Sequence, residues 1–158
     1  MEVYISGRIE YIRDTTGQVH ISDQTCKKFD RAEKMLRARG YELCNPASEK
    51  MQRLLRYSLG MEKMKYGYDG DFFSFALVTN IVSIWRDCDA VYFLDDFTKS
   101  DSAMTEYSFA VATGKKLLFQ DREDAQCYIN SEVYKDWEEA WLPLEGDGDE
   151  EEKKDSGT

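Results

Sequence analysis

The sequence is poor in the residues that several kinds of functional site require. It has a single histidine, His20, which excludes a multi-histidine metal centre. Its four cysteines, Cys26, Cys44, Cys88 and Cys127, form no pair with metal-ligand or redox spacing. They read as reduced, partly buried thiols of a cytoplasmic protein. No apolar run approaches the about 20 residues of a membrane span. The start, Met1-Glu2-Val3-Tyr4-Ile5-Ser6, lacks the basic opening and long apolar stretch of a signal peptide. Neither a dinucleotide fingerprint nor a P-loop is present, and there is no internal repeat. Basic residues are the minority, 21 against 31 acids, for a net charge of -10. A binder of nucleic-acid polymers would need a basic face, so that class is excluded. No metal, no cofactor and no membrane partner are expected.

What remains is enough for a folded enzyme or binding domain. Hydrophobic residues make up 42% of the 158 and aromatics 13%, which suits one core. Residues 1–144 are expected to form a single domain. Residues 145–158, rich in Asp and Glu, are expected to be a solvated, disordered tail, with an acidic interaction tail as the alternative.

Strand and helix patterns alternate along the chain. Glu2 to Ser6 reads as a strand stopped by Gly7. Arg8 to Ser22 reads as a loop or small hairpin turning at Thr15-Thr16-Gly17. Ser22 or Asp23 caps a helix to Arg39, with Phe29, Ala32, Met35 and Leu36 on one face, and Gly40 stops it. Tyr41 to Cys44 is a second strand, and Ser48 to about Tyr66 a helix. Asp71 caps a further helix to about Arg86, and Asp89 to Leu94 is an apolar strand of the kind covered on both faces. A helix opens at Ser100, Gly114 ends it, and Lys116 to Phe119 is a strand. A helix from about Glu123 to Tyr134 follows, then a last short strand or packed aromatic segment at Trp137 to Leu142. This order predicts an α/β fold: a doubly wound, Rossmann-like or flavodoxin-like parallel sheet of about five strands in three αβα layers.

In such a sheet ligands collect at the carboxyl ends of the strands, beside the switch point. Three segments fall there. Glu106 lies in the first turns of the Ser100 helix, where the macrodipole favours an ionised carboxylate, as a nucleophile must be; acids also sit at such positions as plain stabilisers. Ser100 and Ser102 flank Asp101 at the same helix start and suit either a phosphate or N-capping. Ser6-Gly7-Arg8 ends the first strand, with Gly7 open to close backbone approach and Arg8 to an anion, or it is a turn with a solvated arginine. Asp95-Asp96 could accept from a sugar hydroxyl or a base edge, or be a solvated pair. Tyr4, Tyr11 and Trp85 could stack on a base or belong to the core.

Three pieces carry a resemblance to a known family. They are Val3-Tyr4-Ile5-Ser6-Gly7-Arg8-Ile9, the stretch from Phe29 through Leu36 and Gly40 to Asn45-Pro46, and the stretch from Cys88 through Ser100, Ser102 and Glu106 to Gly114-Lys115. Together, over about residues 2 to 119, they resemble the nucleoside 2-deoxyribosyltransferase superfamily, and within it a phage and bacterial branch that begins with a similar Tyr-Ile-Ser-Gly sequence. The resemblance implies that Glu106 attacks C1′ of a 2-deoxyribosyl group, forming a covalent sugar ester that passes to another base or to water. Ser100 matches a serine of those members that hydrolyse deoxynucleoside 5′-monophosphates, where it meets the phosphate, with Ser6, Arg8 and Ser102 as further anchors. Two departures stand out. Ser102 replaces a frequent glycine, and Asn80 occupies the position of an acid that protonates or orients the base in transferases. An amide cannot donate a catalytic proton at neutral pH. The implied activity is cleavage or transfer at an N-glycosidic bond; the alternative is a non-catalytic nucleotide-binding module. The implied partner is a nucleoside or nucleotide. A homo-oligomer is also implied, with Tyr107, Phe109 and Val111 packing either on a second copy or on the chain's own sheet.

Overall fold

The computed structural model describes residues 1–129 and 137–144. Expectations for residues 130–134 and for the acidic tail therefore lie outside the described residues. The fold is α/β. Four strands, β1 (Glu2–Ser6), β4 (Glu42–Cys44), β5 (Ala90–Phe93) and β6 (Lys116–Phe119), form one parallel sheet in the order β4-β1-β5-β6. Val3 lies opposite Ala90 and Leu43, which makes β1 a central strand. β5 is buried at every position and β1 from Val3 onward, as strands covered on both faces must be. The expected fifth strand shrinks to a single parallel bridge between Trp141 and Phe119, because Trp137–Ala140 coils into a helical turn, α6.

Helices cover both faces in three layers: α1 (Asp23–Ala38), α2 (Glu49–Tyr66), α3 (Phe72–Asp87), α4 (Asp101–Ala112) and α5 (Arg122–Tyr128). Five of their starts are set by short polar side chains that accept from a backbone N–H three residues on: Ser22, Ser48, Asp71, Ser100 and Asp121. Each cap is worth about 1 kcal/mol. The polar stretch after β1 is a hairpin, β2 (Tyr11–Arg13) with β3 (Val19–Ile21), closed at Gly17 with φ 85°.

The two-residue period of β1 divides the core. Val3 and Ile5 join Phe29, Ala32 and Leu36 of α1 on one face. Tyr4 joins Ile84 of α3 and Ala103 and Ala110 of α4 on the other. Tyr107 and Phe109 pack against this second cluster, so they face the chain's own sheet; Val111 is exposed. No helix of the described residues is long and apolar enough to cross a membrane.

Candidate functional site

Tyr4 and Ser6 sit two apart on β1, so their side chains share the face that meets α4. Both reach Glu106. The Tyr4 hydroxyl donates to Oε2, and the Ser6 hydroxyl donates to Oε1 at 3.0 Å. Glu106 is only 4% exposed. Burial raises its carboxyl to about 7 from 4.5, against the pull of the two hydroxyl bonds, which favour the ionised form. This differs from the expectation of a plainly ionised acid. The reason is position: Glu106 lies beyond the first turn of α4, where the macrodipole has faded, and desolvation outweighs it. The Tyr4 phenol is raised well above 10, by burial first and by the adjacent Glu106 second, so it remains a donor.

Around Glu106 the structure brings together Gly7, Asn80, Ser100 and Ser102 in one pocket of about 70 Å³. Tyr11 of the hairpin and Phe73 of α3 complete its rim, edge to face with ring centres 5.1 Å apart. The volume is well under the about 300–1,000 Å³ of small-molecule pockets, so as it stands it encloses only the immediate surroundings of the carboxylate. Glu106 is the one carboxyl group among the described lining residues. Ser100 caps α4, its Oγ accepting from Ala103 N–H at 3.2 Å, and Asn80 is buried.

Three expected members behave differently. Arg8 is exposed and lines a separate cleft with Asp95 and Asp96. There Asp96 accepts from the Arg8 backbone N–H at 3.0 Å and from the Lys28 ammonium, which also donates to the Arg8 carbonyl at 3.3 Å. The Asp95 N–H donates to the side chain of Gln120 at 2.9 Å. Gly7 lines the Glu106 pocket, but the room it makes is used by protein. A Cβ there would lie 2.8 Å from Leu94 Cδ1 and 3.1 Å from Asp96 Oδ1. Of the candidate stacking aromatics, Tyr11 reaches the pocket rim, Tyr4 is a buried hydrogen-bond donor, and Trp85 is 62% exposed near the end of α3. The role of Tyr4 was missed in the sequence, although two hydrogen-bonding side chains two apart in a buried strand are a readable signal. Among the described residues no group of three His, Cys, Asp or Glu could hold a metal ion.

Residues 1–119 match the model of a family described as Domain of unknown function (DUF4406). The chain belongs to that family. The matched region holds every residue of the Glu106 pocket. Neither the curated proteins nor the solved structures contain a match to this chain.

Proposed function

We propose that the chain cleaves or transfers at the N-glycosidic bond of a (deoxy)nucleoside or nucleoside 5′-monophosphate, with Glu106 as the nucleophile. The observation that carries this reading is a buried carboxylate with each oxygen held by a hydroxyl donor, beside Asn80, Ser100 and Ser102. Those bonds aim the carboxylate and leave it poised to ionise near neutral pH. In the first step a Glu106 oxygen bonds to C1′ as the C1′–N bond breaks. The bonding pair leaves with the base nitrogen, which takes a proton from solvent. Water or the nitrogen of a second base then attacks C1′ and gives up a proton to solvent, the ester bond breaks, and its electron pair returns to Glu106. Asn80 is suited to hydrogen-bond a base, and Ser100 and Ser102 to meet the sugar or its phosphate. The resemblance to the 2-deoxyribosyltransferase superfamily supports the same assignment. The small pocket requires widening for a whole nucleotide to enter.

A second reading, a nucleotide-binding module without turnover, is favoured by one observation: besides Glu106, no described lining residue offers a carboxyl proton to a leaving base. A chromatographic base-release assay separates the two. Nucleosides and 5′-monophosphates, ribo and deoxy, are incubated with the protein, with and without a second free base. Release lost in Glu106→Ala supports a hydrolase, and exchange only with a second base a transferase. A thermal shift with a nucleotide but no release supports the binding module. A folded Glu106→Ala that releases base at the wild-type rate removes the nucleophile role.

An assembly of several copies, also implied by the resemblance, has its best support in α3. There Val78, Val82 and Trp85 are exposed at spacings that put them on one helix face.

A further inference from the structure

On the α1 side of the sheet, at the same carboxyl rim, lies a cleft of about 590 Å³, within the about 300–1,000 Å³ that holds small molecules. Its two walls differ in character. α1 contributes Gln24, Lys27, Lys28 and Arg31, whose three-, four- and seven-residue spacings put them on one face. The acids of that helix, Asp23, Asp30 and Glu33, do not line the cleft. The opposite wall is built from strand ends, with Asp95 and Asp96 after β5 and Gln120 after β6; Arg8 and Glu10 come from the loop after β1. In a chain of net charge -10, four cations gathered in one cleft run against the background. Lys28 is anchored there by Asp96.

We propose that this cleft binds a phosphorylated sugar, at a site separate from the Glu106 pocket. The basic wall of α1 supplies charge-assisted hydrogen bonds to a phosphate, which are about twice as strong as neutral ones. The carboxylates across from it disfavour a second anionic group and accept from hydroxyls, so a ligand with one phosphate and several hydroxyls matches both walls. The two sites share the loop after β1, with Gly7 lining one and Arg8 the other. This inference does not require that Glu106 act as a nucleophile.

Isothermal titration of the full chain with ribose 5-phosphate, inorganic phosphate and ribose tests it. Ribose 5-phosphate is expected to bind saturably, phosphate more weakly and ribose not detectably, with affinity falling as salt is raised. The Lys27→Gln/Arg31→Gln double variant removes two of the cations that line the cleft, so ribose 5-phosphate should bind about tenfold weaker or worse while the circular dichroism spectrum matches wild type. Glu106→Gln should bind as wild type. The proposal is overturned if wild type shows no saturable binding, if ribose binds as well as its phosphate, or if the double variant is unaffected. Binding lost in Glu106→Gln but kept in the double variant also overturns it, since the phosphate then occupies the Glu106 pocket; that outcome leaves the nucleotide reading standing.

Discussion

The two hollows at the carboxyl rim of the sheet are made from neighbouring stretches of chain but obey different electrostatics. Around Glu106 a single carboxyl is enclosed by apolar, aromatic and neutral polar groups and satisfied by two hydroxyls, with no cation among the described lining residues. Its proton affinity is therefore set by desolvation. Across the sheet, Lys28 and Asp96 meet in a wide, polar cleft where each keeps partial access to water. Charges there are compensated by partners and solvent, and the groups serve to hold a loop or attract an ion. A carboxylate sealed in the core and a carboxylate used as a clasp thus differ less in sequence than in how much water surrounds them.

Substitutions should break this contrast in a graded way. The largest effect is expected from Glu106→Ala, which should lower base release by about a thousandfold or more with an unchanged circular dichroism spectrum. In wild type, release should rise with pH through about 7 as the carboxyl ionises. Stability should show the reverse trend. Below about 4.5 Glu106 is protonated whether folded or not, and above about 7 it is ionised in both states and the full cost of burying its charge is felt. Between those limits the stability of Glu106→Gln, measured by denaturant melts, should therefore gain on wild type by about 3 kcal/mol.

Next come two changes that test how the buried side is held. Gly7→Ala sets a Cβ against Leu94, and overpacking of this kind should cost about 1–3 kcal/mol, read as a lower melting midpoint. Tyr4→Phe removes the donor to Oε2. It should cost about 1–3 kcal/mol and move the midpoint of the pH–rate profile upward, because that bond pulls the carboxyl down. The smallest effect belongs to the clasp. Asp96→Asn should cost about 1 kcal/mol or less, since the Lys28 pair is partly solvated; a larger loss would erase the distinction between the two sides.

Much of this arrangement follows from local chemistry and was legible in the chain. The Ser22, Asp71 and Ser100 caps, the glycine stops at Gly40 and Gly114, and the apolar run over β5 each act within a few residues, so the strand–helix alternation and the parallel sheet follow from them. The grouping of Gly7, Ser100, Ser102 and Glu106 was also foreseeable from the convergence of strand ends, whereas Asn80, inside α3, entered only through the family resemblance. What only the tertiary structure decided are the relations across 88 to 102 residues: Tyr4 and Ser6 on Glu106, and Arg8 and Asp96 drawn away into a second cleft. The loss of the fifth strand to one bridge at Trp141 is of the same kind. Sequence patterns report which face of an element is apolar, but the ionisation of Glu106 depends on how completely distant elements exclude water from one carboxyl, and that is a property of packing alone.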